Sequence, residues 1–375
     1  MGRVRPLEWV VAAFAAFVLV RAGPQAFLAW PALLTDRAGA VLAAWLVVAL
    51  VQQAVHLKRS RRALPRWAPL TLAPSFLFLG LTLSDVELRE ALAGAPTLAD
   101  ALLVVGARVL FLAGWCTPAP LFAAWWALRQ RGVPWGAQLW RSLVSAARDL
   151  GPVLFLLSGY SWMASVVAPP ERDLDAVMAA ADRALTLGGD PLHALEGLVR
   201  PALSEFLALV YASYALLIPI CLGVLSFRRG APWRESALAV GLMLALGYVS
   251  YTLVPVQGPL TTMHFTVPLE LYLVREVKAA LMDRLRITYD CFPSMHTALT
   301  VVLLVQCRRH APRLARWVWP FAALMPLACV YLRYHYLVDV VAGLGLAMWV
   351  CALAPWLSAL HECAALEQNA VGEHP

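Results

Sequence analysis

Five side chains in the last quarter of the sequence have the types and spacing of a phosphoryl-transfer site: Ser294, His296, Arg333, His335 and Asp339. The stretch DCFPSMHTALTVVLLV, Asp290 to Val305, passes from a polar loop into an apolar run, with His296 just inside it. Pro293 suits a first helical turn and Ser294 a helix cap, so backbone N–H groups near Ser294 to His296 offer an anion cradle. In RYHYLVDVVAG, Arg333 to Gly343, His335 and Asp339 stand four apart and share one helix face. A carboxylate so placed accepts the proton of one imidazole nitrogen and leaves the other as a directed nucleophile. Arg333 adds a permanent cation whose donors match a phosphate. Taken singly, a histidine at a helix start and a His/Asp pair one turn apart read as self-satisfied structural groups. Taken together, ionisable groups inside apolar segments beside a guanidinium favour a site. A metal centre built from His296, His335 and Asp339 is the weaker reading, because Arg333 would repel the ion.

These residues need a scaffold, and the composition specifies a membrane. Of 375 residues, 61% are hydrophobic and only 14% charged, far from the balance of a soluble chain. Apolar segments long enough to approach the ~30 Å of a hydrocarbon core recur from end to end. Ten spans are expected, near residues 7–28, 38–56, 67–83, 101–127, 149–168, 203–226, 236–255, 294–307, 317–334 and 337–357. The formal charge of +7 points to topology and not to nucleic acid, because the basic residues fall in short loops. Basic loops near 58–66, 129–148, 228–234 and 308–316 alternate with acidic or mixed ones near 85–90, 171–182 and 256–293. The basic set is expected in the cytoplasm, with both termini, and the other set outside. His296 then lies at the outer end of the eighth span, and Arg333 to Asp339 at the outer turn between the ninth and tenth. The seven cysteines form neither a disulfide framework nor a zinc pattern; all but Cys291 and Cys363 lie in or beside apolar segments. Arg108, inside the fourth span, and Glu205, at the outer end of the sixth, read as a structural pair, with part of a polar cavity as the alternative, and His193 and His264 as ordinary loop histidines.

FPSMHTA followed by RYHYLVDVVAG resembles the second and third signature motifs of the type 2 phosphatidic acid phosphatase superfamily, in the form found in its inositol phosphorylceramide synthase-like branch. Fainter similarities to that branch are DRALTLGGDP from Asp182, EFLALVYASYALLIP from Glu205 and YTLVPVQGP from Tyr251. The resemblance implies an all-α polytopic bundle with a six-helix phosphatase-like core in the C-terminal half. It divides the chain into an N-terminal transmembrane region, 1–168, a catalytic core, 169–357, and a cytoplasmic tail, 358–375. It also implies roles. His335 attacks phosphorus, Asp339 orients it, His296 protonates the leaving alkoxide and then activates the acceptor, and Ser294 and Arg333 hold phosphoryl oxygens. Neither metal nor other cofactor is implied. The sequence departs from the superfamily at three places: its first motif is absent, Ala328 and Cys329 stand where phosphatases carry Ser-Arg, and Leu260 stands where the branch carries arginine.

The expected partners are the bilayer, a lipid phosphate or phospholipid donor, and water or a hydroxylated acceptor; nucleic acid is not among them. The expected activity is transfer of a phosphoryl or phospho-headgroup at the outer membrane face through a phosphohistidine. Hydrolysis of a lipid phosphate is the close alternative, and a non-catalytic transporter or scaffold on the same fold is the alternative from another class.

Overall fold

The computed structural model of the protein describes residues 5–22, 174–226, 228, 230–272 and 287–372, with side chains to 363, and scattered positions between 149 and 167. Expected spans at 38–56, 67–83 and 101–127 lie outside the described residues, as does Arg108. The chain forms two compact units, one of residues 1–27 with 155–375 and one of residues 28–154; the elements below belong to the first.

All regular structure among the described residues is helical. We number the helices α1 (Pro6–Ala22), α2 (Asp175–Leu185), α3 (Pro191–Ala194, continued by a 3₁₀ turn over Leu195–Leu198), α4 (Pro201–Ala212), α5 (Tyr214–Ser226), α6 (Ala231–Leu253), α7 (Pro259–Thr262), α8 (Met295–His310), α9 (Pro312–Tyr331) and α10 (Leu337–Gly372). Among the described residues, four stretches are long and apolar enough to cross a membrane: Pro201–Ser226, Ala231–Leu253, Pro312–Tyr331 and Leu337–Cys363. The span expected at 203–226 is divided into α4 and α5 at Ser213, which keeps helical dihedrals. Pro219, inside α5, cannot donate to the carbonyl of Ala215 and crowds it, which loosens the helix at this point. Helix α10 continues well past residue 357, where the apolar pattern fades.

Helix α8 is the hub. It packs on α5, α6, α9 and α10, and Leu299, Val302 and Leu303 are fully buried in those contacts. A helix apolar on every side has no face to spare for solvent. Its 16 residues reach only ~24 Å, so one end must fall short of a ~30 Å core. The C-terminal end is anchored in polar company: Arg309 bonds Glu235 at 2.8 Å and the Cys351 carbonyl at 3.1 Å. Arg234 pairs with Glu362 at 2.6 Å on that same side. The basic turns between α5 and α6 and between α8 and α9 therefore share one end of the bundle, and the N-terminus of α8 opens at the other.

Candidate functional site

Ser294 caps α8, its Oγ accepting from the Thr297 N–H. The same residue gives its own N–H to the Asp339 carbonyl at 3.0 Å, which ties the start of α8 to the first turn of α10. Contact there is so close that a Cβ on Gly343 would lie 2.7 Å from the Ser294 carbonyl oxygen. Glycine at 343 is what lets the two backbones meet. Pro293 stands before the cap, joined to Phe292 by a cis peptide, and not in the first helical turn as the sequence reading has it.

The α9–α10 turn brings the second group of residues to this point. Arg333 has φ of 65°, a left-handed conformation costly for a side chain with a Cβ. The turn holds it there through bonds from the Arg333 N–H to Val330 O and from the Tyr334 and His335 N–H groups to Cys329 O. Asp339, at the third position of α10, reaches back to the Tyr336 N–H at 2.8 Å, the carboxylate half of a capping box. Asp182 on α2 completes the helix start from a distance, accepting from Leu337 N–H at 2.9 Å and Val338 N–H at 2.7 Å. Burial pushes its carboxyl group up, against those two bonds. Asp175, two turns earlier on α2, accepts from Gln257 and Gly258 N–H and from the Tyr336 hydroxyl.

So positioned, His296 and His335 face one another with ring centroids 5.8 Å apart. His335 is buried, and its Nδ1 lies 2.9 Å from the Cys291 carbonyl. A carbonyl only accepts, so Nδ1 carries the proton and Nε2 keeps the free lone pair. Asp339 Oδ2 lies 3.6 Å from Nδ1, outside hydrogen-bond range. The group that fixes the tautomer is thus the Cys291 carbonyl, with the carboxylate adding its field behind it. The Cys291 thiol donates to Asp339 Oδ2 at 2.9 Å, and burial, then the Asp339 charge, keep the thiol well above its ordinary pKa. His296 is stacked on Tyr211, centroids 4.2 Å apart, and tilted against Tyr214 at 4.3 Å. Its Nδ1 meets the Tyr211 hydroxyl at 3.3 Å.

The two phosphate-binding expectations come out differently. Ser294 is at the junction, but its hydroxyl turns toward Thr297 Oγ1 at 3.2 Å and Cys329 Sγ at 3.6 Å. Cys329, in place of the cationic motif, is therefore a neutral neighbour of the cap. Arg333 lines a cavity of about 190 Å³ with Ala208, Leu260, Leu269, Leu271, Leu332 and Tyr334. Its guanidinium lies 4.0 Å over the Phe265 ring and donates to the Val267 carbonyl at 2.6 Å. Glu196 holds the same segment, accepting from Val267 N–H at 3.0 Å and from Thr266; the Thr266 bonds foremost keep its carboxyl group below the ordinary value. His193 is more than a loop histidine: it bridges Asp190 at 2.8 Å and the His264 carbonyl at 2.9 Å. Glu205 accepts from the Tyr272 N–H.

The sequence reading passed over Cys291, Tyr211, Tyr214, Asp175 and Asp182. Cys291 carried a signal, as one of two cysteines outside the apolar segments. Tyr211 and Tyr214 are three apart and so project from one side of the chain. Asp182 opened the DRALTLGGDP stretch without being given a role, and Asp175 gave no signal beyond acidity in a loop.

Residues 177–353, just under half of the chain, match the family model of the PAP2 superfamily. That range runs from α2 into α10 and takes in Ser294, His296, Arg333, His335 and Asp339, while Asp175 lies just before it. No curated protein and no solved structure matches the chain.

Proposed function

We propose that the protein is an integral membrane phosphotransferase that takes a phosphoryl or phospho-headgroup from a lipid donor at the outer membrane face, in the manner of inositol phosphorylceramide synthases. The supporting observation is the His335 ring: Nδ1–H is committed to the Cys291 carbonyl, leaving Nε2 as an oriented nucleophile within reach of the His296 ring. The match of residues 177–353 to the PAP2 superfamily and the apolar helices support a membrane enzyme of phosphatase type.

In this reading the Nε2 lone pair forms the N–P bond as the P–O bond to the lipid breaks, and His296 gives a proton to the departing alkoxide. His296, now a base, takes the proton of the acceptor hydroxyl, whose oxygen attacks phosphorus and releases His335. Arg333 and the helix-end amides carry the transition-state charge, with no metal required. With water as acceptor the same steps are a lipid phosphate phosphatase. That second reading is favoured by the leucines around Arg333, which give a polyol acceptor few polar partners.

The test separates the histidines. His296→Ala should lose lipid turnover yet release a burst of nitrophenol from an aryl phosphate, whose leaving group needs no proton, and accumulate acid-labile phosphoenzyme. His335→Ala should give neither. An equal burst from His335→Ala, or an acid-stable phosphoenzyme, overturns the covalent mechanism. Assay of products from labelled lipid phosphate in a lipid extract decides between released phosphate and a new phospholipid.

A further inference from the structure

Beside the histidine pair lies a second donor set with metal-ligand spacing: Cys291 Sγ, His335 Nδ1 and Asp339 Oδ2, all buried. Sγ is 2.9 Å from Oδ2 and 3.4 Å from Nδ1, and Nδ1 is 3.6 Å from Oδ2. An ion bonded tetrahedrally at ~2.3 Å to sulfur and ~2.0 Å to nitrogen and oxygen holds its ligand atoms ~3.3–3.6 Å apart. Two of the three separations already have that value, and the third needs only a small retreat of the thiol from the carboxylate. Asp339 Oδ1, on a carboxylate with no exposure, has no hydrogen-bond partner. Oδ2 accepts from Tyr336 N–H and the Cys291 thiol, so one oxygen of this buried carboxylate is bonded and the other is left at a cost. The guanidinium of Arg333, the cation that opposes an ion here, is held by the Val267 carbonyl and the Phe265 ring.

We propose that Cys291, His335 and Asp339 form a site for a thiophilic divalent cation of the Zn²⁺ class, and that filling it shuts off His335 as a nucleophile. The mixed sulfur, nitrogen and oxygen set selects Zn²⁺ or Cd²⁺ over Mg²⁺ and Ca²⁺, which take oxygen ligands. Binding releases one proton, from the Cys291 thiol. At His335 the ion takes the place of the Nδ1 proton and of its bond to the Cys291 carbonyl, and the ring's one proton moves to Nε2. The lone pair that would attack phosphorus is then occupied by a proton. The site itself stands on geometry alone; its effect on turnover rests on the function proposed above.

The experiment uses the full-length protein in detergent, freed of metal, in a Cys363→Ser background that removes the exposed thiol. Cd²⁺ is titrated while thiolate-to-cadmium absorption is followed in the near ultraviolet. One equivalent should generate the band, Zn²⁺ should erase it by competition, and excess Mg²⁺ should not. Cys291→Ser should abolish the band, and Asp339→Asn should retain the thiol yet weaken Cd²⁺ binding at least tenfold. Absence of the band in the parent, or its persistence in Cys291→Ser, overturns the site. In the second arm, saturating Zn²⁺ should lower lipid phosphate turnover at least tenfold in the parent, and by far less in Cys291→Ser relative to its own metal-free rate. A normal band without inhibition leaves the ion bound but refutes the blocked nucleophile. A normal band in a protein with no turnover on any lipid phosphate refutes the proposed function and leaves the metal site standing.

Discussion

Gly343→Ala tests whether the junction of α8 and α10 sets the geometry of the histidine pair. A methyl group at 343 would lie 2.7 Å from the Ser294 carbonyl oxygen, against 3.4 Å for an ordinary contact. The obstacle is backbone, so the N-terminus of α8 must retreat by about 0.7 Å to restore normal van der Waals separation. That retreat stretches the Ser294 N–H bond to Asp339 and carries His296, two residues on, away from His335. Overpacking of this kind costs about 1–3 kcal/mol, partly offset by the ~1 kcal/mol that alanine gains over glycine in a helix. The net loss of stability is small, but misplacing catalytic groups by a large fraction of an ångström costs about tenfold to a hundredfold in rate. Gly345→Ala is the control, since a Cβ there meets nothing within 4 Å. The assay is lipid phosphate turnover with a melting curve for each variant. Equal rates in the two variants would refute the claim that this contact positions the histidine pair.

Three further outcomes are expected. Turnover should persist in excess chelator, because no step of the proposed mechanism uses a metal; loss on chelation with recovery on adding Mg²⁺ would contradict that mechanism. In a Cys363→Ser background, Leu187→Cys, at an exposed position, should react with an impermeant thiol reagent from outside intact cells and Arg313→Cys should not; the reverse would invert the topology. Bonds to the His264 carbonyl, then to Asp190, hold His193 above its ordinary pKa. Its stabilisation is therefore complete below pH ~6.5 and lost as pH rises through the higher folded value. The melting temperature should fall across neutral pH in the parent and fall less in His193→Gln; identical profiles would remove His193 from the account.

What was legible in the sequence was legible for physical reasons. Apolar runs long enough for a bilayer can only become helices, because backbone groups in lipid must bond within their own segment. The cap at Ser294 follows from local geometry and is found. The helix face expected to carry both His335 and Asp339 is not, because His335 stands in the turn before α10, which begins at Leu337. The meeting of these two motifs was inferred from loop charges and is seen in the bond from Ser294 N–H to Asp339 O. Partners set by non-local packing were not legible. Spacing assigned the His335 proton to Asp339, four residues on, whereas folding presents the carbonyl of Cys291, 44 positions away in the chain. Neither hydropathy nor helical period marks a backbone acceptor. The division of the span at Ser213 was also hidden, because the residues around it are apolar enough to continue the span.

Helix α2 gives the region an unequal tolerance to changes in length. Its two aspartates are seven residues, or two turns, apart and so point the same way. One holds the turn at Gln257 and Gly258, the other the first amides of α10. Inserting or deleting a single residue between them would rotate one carboxylate by ~100° relative to the other, and only one of the two attachments would survive. The exposed turn just beyond, at Leu187 to Gly189, has no such phase to keep. Duplications and deletions arising along this stretch should thus be filtered sharply inside α2 and leniently a few residues later, so that α2 measures a fixed distance while the turn absorbs the variation.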